Sequence, residues 1–432
     1  MPLICALAAV LNRVFAVTKL SFSKEKIQIL LLEGVHDNAI SELAARGYAT
    51  VERLPTALDE AELLERIGSV HMLGIRSRTN LTAKVLEAAE RLFCVGCFCI
   101  GTNQVDLKAA RSRGVPVFNA PYSNTRSVAE LVIGEVIMLM RGIFPKSTLV
   151  HGGGWMKSAK DSYEIRGKTL GIVGYGHIGT QVSIMAEAMG MKVVFYDVVR
   201  KLALGNAQPC DTLEDLLKIS DVVTLHVPDT AQTRNMIGPE QLRQMKRGSY
   251  LINAARGKVV DIPALVEVLK SKHVLGAALD VFPKEPGGDK DPFESPLRGL
   301  DNVILTPHIG GSTMEAQANI GTEVAQKLIE YSDNGSTIGA VNFPMVGLPV
   351  HDGATRFLHI HRNVPGVLRK INDVFSSRDL NIAAQYLQTD PELGYVVIDA
   401  DGDVDEGEVL DALRGIDGTL RTRFLYPGQP GR

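Results

Sequence analysis

Three polar side chains that could perform acid–base chemistry each lie a few residues after an apolar run. Arg256 follows the predicted strand 249–253, and Glu285 and His308 follow the next two predicted strands along the chain. Because the carboxyl ends of parallel strands meet at one edge of a sheet, we expect these side chains to share that edge. A single Arg, Glu or His in a loop is usually structural, so their joint occurrence is what favours catalysis.

The chemistry that these residue types favour is the oxidation of an alcohol. A neutral imidazole at position 308 could remove the hydroxyl proton, because its pKa is near the working pH. A carboxylate at position 285 could fix the tautomer of that imidazole and raise its basicity. A guanidinium at position 256 could hold a substrate carboxylate and polarise the reacting oxygen. This reaction also needs a group that accepts the hydride.

A glycine-rich turn supplies the site for such a group. Gly174 permits a tight turn after a predicted strand, Gly176 lets a pyrophosphate approach the backbone, and Gly179 lets the following helix pack closely. Asp197 ends the next strand, where a carboxylate can accept from both ribose hydroxyls and so select NAD over its 2′-phosphorylated form. The order strand, turn, helix, strand and acid therefore predicts a site for NAD, whose nicotinamide would accept the hydride.

The composition is that of a globular protein, with 432 residues of which 45% are hydrophobic and 22% are charged. This length suggests two or three domains. The formal net charge of -3 indicates no basic surface for nucleic acid or for an anionic membrane, so we expect neither as a partner. No stretch of the sequence is long and apolar enough to cross a bilayer.

The five cysteines form an odd number without a secretory context, which predicts reduced thiols and a cytoplasmic location. Cys94, Cys97 and Cys99 are close enough in sequence to suggest a metal site. They lie in an apolar run with no matching Cys/His pair elsewhere, so we interpret them as buried thiols and expect no metal. Residues 1–23 are interpreted as an appendage, because 1–17 are apolar but have no basic leader.

Alternating apolar runs and helix-period stretches predict an α/β fold. Residues 27–118 form a first α/β block, and six strands with crossover helices between 170 and 306 form a doubly wound, Rossmann-type cofactor domain. Residues 354–427 show the order β-α-β-β-α-β, which predicts a ferredoxin-like module. Residues 428–432 are expected to be a loose tail.

A second candidate site lies in the first block. The predicted strand 70–75 leads into Arg76, Ser77 and Arg78, just before a predicted helix at 81–89. Two guanidiniums, neighbouring hydroxyls and a helix N-terminus in one turn would suit an anion. The residues alone leave open whether this loop binds an anion or is simply solvated.

Four motifs carry a resemblance to a known family, at 174–179, 253–257, 280–286 and 306–313. Over residues 24–427 the chain resembles the D-isomer-specific 2-hydroxyacid dehydrogenases, in the bacterial type with one carboxy-terminal ACT domain. The resemblance implies a flavodoxin-like, discontinuous substrate-binding domain, an NAD-binding domain and an ACT regulatory domain, at 24–123 with 312–345, at 124–311 and at 354–427.

The resemblance also implies an activity, which is NAD-dependent oxidation of 3-phospho-D-glycerate to 3-phosphohydroxypyruvate, the first step of L-serine biosynthesis. His308 would be the acid/base, Glu285 its partner and Arg256 the clamp on the substrate carboxylate. The residues implied around the substrate, with the arginines on its phosphate, are Arg76, Ser77, Arg78, Asn124 and Gln317. Those implied around NAD, with Asp197 on the adenosine ribose and Asp280 on the carboxamide, are Gly174, Gly176, His177, Ile178, Gly179, Asp197, His226, Val227, Pro228, Ala254, Asp280, Gly310 and Gly311.

The carboxy-terminal module has its own implied ligand. By resemblance His361, Asn363 and Asn381 would bind L-serine as a feedback inhibitor across an ACT–ACT dimer interface, in a homotetramer. On the residues alone, His-x-Asn before a helix is equally consistent with a surface loop.

Two other functions stay open at this point. One is another dehydrogenase of the same fold, acting on 2-oxoglutarate and 2-hydroxyglutarate or on another 2-hydroxy acid, because a second carboxylate could occupy the place of the phosphate. The other is a non-enzymatic, NAD-sensing interaction protein. The complete set of Arg256, Glu285 and His308 argues against that second alternative.

Overall fold

The structure is a computed structural model that describes residues 23–286, 291–349, 354–402 and 404–425. The predicted appendage, except Ser23, and the predicted tail lie outside the described residues. The chain divides into two compact units, of which one runs to Pro121 and resumes at Ala318, and the other spans Tyr122–Gln317. Within the described ranges, no helix combines the length and apolarity that a bilayer span requires.

The first unit begins with a five-stranded parallel sheet in the order β2-β1-β3-β4-β5, which is the strand order of the flavodoxin-like fold that the resemblance implied. Its strands are β1 (Ile29–Leu31), β2 (Val51–Arg53), β3 (Met72–Ile75), β4 (Cys94–Cys97) and β5 (Val117–Asn119). Its helices are α1 (Asp37–Ala45), α2 (Glu60–Arg66), α3 (Ala83–Ala88) and α4 (Leu107–Ser112), with 3-10 turns at Lys24–Lys26 and Ile67–Ser69. β4 buries Cys94 and Cys97, and burial raises the pKa of Cys94 to about 12.

The second unit contains a seven-stranded parallel sheet in the order β12-β11-β10-β9-β6-β7-β8. Its strands are β6 (Thr169–Val173), β7 (Lys192–Tyr196), β8 (Gln208–Pro209), β9 (Val222–Leu225), β10 (Ser249–Asn253), β11 (Val274–Leu279) and β12 (Val303–Leu305). Its helices are α5 (Thr125–Arg141), α6 (Ile143–His151), α7 (His177–Ala188), α8 (Leu213–Ile219), α9 (Pro239–Gln244) and α10 (Ile262–Lys270), with a 3-10 turn at Gly257–Val259. The strand order reverses at β6, where a doubly wound sheet binds its ligand.

Helices cover both faces of this sheet because both faces carry apolar side chains. In β10, Tyr250 and Ile252 pack into one core and Leu251 into the other. The six predicted strands are all present, and the doubly wound fold is confirmed. The prediction lacked β8, because its two residues are polar or proline and both are exposed.

Helix α11 (Met314–Asn334) leads the chain from the second unit back into the first. An antiparallel sheet follows in the order β14-β15-β13-β16, made of β13 (Thr355–Arg362), β14 (Asn381–Thr389), β15 (Leu393–Asp401) and β16 (Thr419–Leu425). With α12 (Val367–Ser376) and α13 (Glu406–Arg414) it forms the predicted ferredoxin-like module.

The two faces of this small sheet contact different partners. Phe357 packs with the apolar residues of α12 and α13, whereas Leu358 and Tyr395 share a core with Phe93 and Tyr331 of the five-stranded region. The carboxy-terminal module therefore packs directly against the rest of the first unit.

Candidate active site

The structure places Arg256, Glu285 and His308 after the carboxyl ends of three adjacent strands. β10, β11 and β12 are neighbours in the sheet, and each strand leads into the loop that carries one of these side chains. This arrangement follows from the parallel topology that the sequence predicted.

His308 and Glu285 form a direct hydrogen bond, with 2.9 Å between Nδ1 and Oε2. The other carboxylate oxygen of Glu285 accepts from the backbone N–H of Phe282 at 3.1 Å, which holds the acid in place. Both side chains keep access to solvent, at 51% and 35% exposure for His308 and Glu285. Glu285 therefore occupies Nδ1 of the imidazole, and Nε2 takes no part in this hydrogen bond.

Electrostatics tune this pair in opposite directions. The hydrogen bond to Glu285 raises the pKa of His308 above its ordinary value, and the charges of Glu285 and Asp280 add to this, while burial and Arg256 oppose it. Burial raises the pKa of Glu285, but the hydrogen bond and charge of His308, the Phe282 amide and Arg256 together lower it below its ordinary value. Glu285 is therefore the carboxylate partner of a more basic histidine.

The loop that carries Arg256 is shaped by a buried asparagine. Asn253 accepts from the Ala255 N–H at 3.1 Å and donates to the Arg256 carbonyl at 3.0 Å. Gly257 then lies against the backbone of the loop leading to Glu285, since a Cβ there would be 1.9 Å from the Phe282 carbonyl carbon. Only glycine fits this close approach, which fixes the Arg256 loop beside the Glu285 loop.

Asp280 organises the loop that carries His308. Its carboxylate accepts from the Thr306 hydroxyl at 2.7 Å and from the Ile309 and Gly310 N–H groups at 2.8 Å each. Its side chain is buried, and the loop turns through a left-handed His308 with φ of 55°. Since a carboxylate offers about four acceptor positions, most of the hydrogen-bonding capacity of Asp280 serves this loop.

The three glycines of the turn at 174–179 differ in what a side chain would meet there. A Cβ on Gly174 would be 2.4 Å from the His226 carbonyl oxygen, and one on Gly179 would be 2.3 Å from the Gly174 carbonyl oxygen, so packing demands both glycines. A Cβ on Gly176 would meet nothing within 4 Å. Gly176 is the N-cap residue of α7, so no N-cap side chain accepts from the first amides of this helix.

Asp197, His177 and His226, which were also predicted around NAD, lie at this turn or beside it. Asp197 accepts from the Tyr175 and Val199 N–H groups at 2.9 Å each, which fixes its carboxylate at the end of β7. His226 directly follows β9, and burial lowers its pKa to about 3, so the ring is neutral. The His177 ring lies 4.0 Å from that of Tyr122, between centroids.

Asn124 and Gln317, which were predicted to contact the substrate, lie close to the His308 loop. A Cβ on Gly311 would be 2.3 Å from Asn124 Nδ2, and the Gln317 side chain donates to the Gly311 carbonyl at 3.0 Å. The Asn124 side-chain oxygen is buried without a hydrogen-bond partner. Asn124 and Gln317 therefore lie in the second unit beside the loop that carries His308.

The arginine loop lies in the first unit and differs from the expectation in one respect. α3 begins at Ala83 rather than Leu81, and Thr82 caps it by accepting from the Val85 N–H at 3.4 Å. The backbone amides of Arg76 and Arg78 are directed onto the carboxylate of Glu33, at 3.0 and 2.9 Å. The helix therefore begins two residues later than predicted, and an anion site in this loop stays a prediction.

The implied effector residues do not form one cluster within the chain. His361 is buried on β13 and pairs in register with Gly394, whereas Asn381 begins β14 and pairs with Asp401 at the other end of β15. Gly394 and Asp401 are seven residue steps apart on β15, which corresponds to about 24 Å at ~3.4 Å per residue. Asn363 is exposed near His361 and donates to the Asp390 carbonyl at 2.7 Å.

Known proteins of similar sequence identify the family. Residues 133–310 match the family model of the D-isomer specific 2-hydroxyacid dehydrogenase, NAD binding domain, and residues 357–421 match an AHAS small subunit-like ACT domain. The D-3-phosphoglycerate dehydrogenase of Escherichia coli K12 is 59% identical over 409 residues, which are 94% of this chain and 100% of that protein. The chain belongs to the D-3-phosphoglycerate dehydrogenase family. The family member from Dictyostelium discoideum is 49% identical over 406 residues, covering 94% of this chain and 99% of its own.

Solved structures agree with this family assignment. The Aquifex aeolicus D-lactate dehydrogenase complexed with NAD and lactic acid has a TM-score of 0.65 and 27% identity, and covers 73% of this chain and 100% of its own. As a D-3-phosphoglycerate dehydrogenase family member, the chain is an NAD-dependent dehydrogenase, and the prediction of NAD as cofactor is confirmed. The alternative of a non-enzymatic NAD-sensing protein is set aside.

Alanine substitutions at Gly176 and Gly179 form a matched pair that tests the cofactor turn. We expect Gly176→Ala to leave the thermal midpoint unchanged but to raise the Kd for NADH about tenfold, ~1.4 kcal/mol, because its methyl group would enter the pyrophosphate position. Gly179→Ala should instead destabilise the fold by ~1–3 kcal/mol through overlap with the Gly174 carbonyl. Thermal melts and NADH fluorescence titrations measure both effects. If both variants changed the thermal midpoint and the Kd for NADH to the same extent, the placement of the pyrophosphate would be contradicted.

Proposed function

We propose that this protein oxidises 3-phospho-D-glycerate to 3-phosphohydroxypyruvate with NAD, as the first step of L-serine biosynthesis. The observation that carries the proposal is the His308–Glu285 hydrogen bond of 2.9 Å, on the same sheet edge as Arg256. The identity of 59% to a D-3-phosphoglycerate dehydrogenase over nearly the whole chain supports the choice of substrate.

The chemistry divides among the three side chains. Neutral His308 removes the proton from the C2 hydroxyl, and the carboxylate of Glu285 stabilises the imidazolium that forms. Arg256 holds the substrate carboxylate and polarises the C2 oxygen. Bound NAD supplies the hydride acceptor. In the reverse direction, protonated His308 donates its proton to the carbonyl oxygen.

The substrate phosphate is assigned to Arg76 and Arg78. Arg76 is half-buried and Arg78 is exposed, and both follow the carboxyl end of β3. Guanidinium groups bind phosphate oxygens in a bidentate geometry. The ammonium group of a lysine is a point charge and binds phosphate with less geometric selectivity. Asn124 and Gln317, beside Gly311, are proposed to contact the remaining polar groups of the substrate.

Initial rates with three substrates test this function. We expect kcat/KM with NAD to be highest for 3-phospho-D-glycerate, lower for D-2-hydroxyglutarate and lowest for D-lactate. Faster oxidation of 2-hydroxyglutarate than of phosphoglycerate would identify the alternative dehydrogenase, in which a second carboxylate occupies the phosphate position.

L-Serine is proposed as a feedback inhibitor that binds His361, Asn363 and Asn381. The separation of about 24 Å between the levels of His361 and Asn381, at ~3.4 Å per residue, supports a site shared by two chains. Asn363 donates to the Asp390 carbonyl, and the Asp390 carboxylate pairs with Arg111 of α4. This contact connects the implied effector position with the five-stranded region, and inhibition requires that serine bind two states of the enzyme with different affinities.

Replacement of Asn363 tests the effector site. We expect Asn363→Ala to retain full activity and to need about tenfold more L-serine for half inhibition, the effect of losing a hydrogen bond to a charged ligand. Asn372→Ala, an asparagine on α12, is the control and should keep the inhibition of the unaltered protein. Unchanged serine inhibition in Asn363→Ala would contradict the assignment.

We also propose a homotetramer in the cytoplasm. α6 and the segment after it carry exposed apolar side chains, including Phe144, Val150 and Trp155, which supports a surface for subunit contact. Light scattering coupled to size-exclusion chromatography measures the mass, and a monomer at assay concentration would contradict the tetramer.

A further inference from the structure

The loop that carries Arg76 and Arg78 is built around a buried carboxylate from a distant part of the chain. Glu33 follows β1 and is 8% exposed, and its Oε1 accepts from the Arg76 and Thr79 N–H groups at 3.0 and 2.9 Å. Its Oε2 accepts from the Arg78 N–H at 2.9 Å. Three amides of one short loop thus converge on a single side chain.

Such a set of converging amides is itself an anion-binding concavity. Because Glu33 supplies the anion internally, the backbone of the loop turns inward and cannot serve an external phosphate. The side chains of the loop are more open, since Arg76 is half-buried and Ser77 and Arg78 are exposed. An external anion is therefore left to the guanidinium groups.

The backbone of Glu33 has a disfavoured conformation, which the surrounding structure must hold in place. Glu33 adopts a left-handed φ of 62°, which residues with a Cβ disfavour, and Gly34 next to it has the same φ. The Glu33 carbonyl accepts from Arg76 Nη1 at 3.3 Å, so the same residue also contacts the guanidinium directly. The Gln104 side chain donates to the Arg76 carbonyl.

We propose that Glu33 is a positioning residue that orients Arg76 and Arg78 toward the phosphate group of the substrate and so determines the preference for phosphorylated substrates. This inference rests on the proposed function, in which those two arginines bind the phosphate. Glu33 lies 43 residues before Arg76 in sequence, so no local motif indicates the contact.

The test compares two substrates that differ only in the phosphate. In the reduction direction with NADH, the ratio of kcat/KM for 3-phosphohydroxypyruvate to that for hydroxypyruvate measures the use of the phosphate site. An amide at position 33 can still accept from Arg76 and Thr79 with its oxygen, but its NH₂ faces the Arg78 N–H and repels it. We expect Glu33→Gln to lower the ratio on the order of tenfold, below the ~10²-fold that a 1 Å misplacement can cause.

The effect should appear as a rise in KM for the phosphorylated substrate alone, with kcat and the Kd for NADH unchanged. Asp106→Asn is the matched control, because Asp106 also accepts a backbone N–H in the first unit, that of Ala109 at 2.9 Å. It should leave the ratio unchanged. An unchanged ratio in Glu33→Gln would overturn the inference, as would an equal loss on both substrates, which indicates a purely structural role.

Arg76→Ala separates this inference from the proposed function. A lowered ratio in Arg76→Ala with an unchanged ratio in Glu33→Gln refutes only the role of Glu33. An unchanged ratio in both variants refutes the phosphate site itself. If Glu33→Gln does not fold, amide hydrogen exchange in the unaltered protein remains decisive, because rapid exchange at Arg76, Arg78 and Thr79 would overturn the inference.

Discussion

His308→Asn is expected to lower kcat for phosphoglycerate oxidation ~10²- to 10⁴-fold, the usual effect of removing a general acid/base. Asparagine is the suitable replacement because position 308 has a left-handed φ of 55°, which asparagine tolerates better than alanine. The amide cannot take up a proton from the C2 hydroxyl, whereas the backbone of the loop, held by Asp280, should be preserved.

Binding measurements distinguish this chemical effect from misfolding. The variant should keep the thermal midpoint and the Kd for NADH of the unaltered protein. His151→Asn, at an exposed histidine of the same unit, should behave as the unaltered protein in every assay. Turnover of His308→Asn near the original level would refute the assignment of the acid/base.

Arg256→Met is expected to lower kcat/KM ~10²- to 10³-fold, the usual effect of removing a group that stabilises developing charge. KM should rise because the substrate carboxylate loses its bidentate partner, and kcat should fall because the C2 oxygen is no longer polarised. Arg256 Nη1 donates to the Ala255 carbonyl at 2.7 Å, but Asn253 and Gly257 also hold this loop, so the fold should be retained.

A lysine at position 256 refines this result. Arg256→Lys keeps the charge but not the fork geometry, so it should recover only part of the lost activity. Arg243→Lys, at an exposed arginine of α9, is the control and should have no effect. A rise in KM with kcat unchanged would show that Arg256 only binds the substrate and does not act on the transition state.

The sequence predicted the central sheet and its functional edge because the relevant signals are local. Apolar runs of four to six residues mark the buried strands, and polar residues directly after them fall at the carboxyl edge. Glycine spacing predicted the turn at 174–179, and the structure adds that Gly174 and Gly179 are required by packing whereas Gly176 faces open space. Elements without such signals were not predicted, such as β2, whose Glu52 and Arg53 are exposed, and α6, which buries none of its residues.

The contacts that orient the side chains were beyond the sequence because their partners are distant. Asp280 was assigned to a carboxamide, but three of its hydrogen bonds go to the loop of His308, 26 to 30 residues later. No sequence pattern indicated Glu33. Its carboxylate accepts from the backbone amides of the arginine loop, so these amides are unavailable to a substrate. A helix start at Leu81 was predicted from apolar periodicity, whereas the Thr82 cap places it at Ala83.

The pH dependence of kcat/KM for oxidation, in the unaltered protein and in Glu285→Gln, tests most directly that His308 acts as the base under the control of Glu285. Oxidation needs neutral His308, so activity is lost as pH falls through the pKa of this residue. Glu285 raises that pKa, so its replacement should lower the pKa and move the acid limb of the profile to lower pH. An acid limb that stays in place, or that moves to higher pH, would contradict the account.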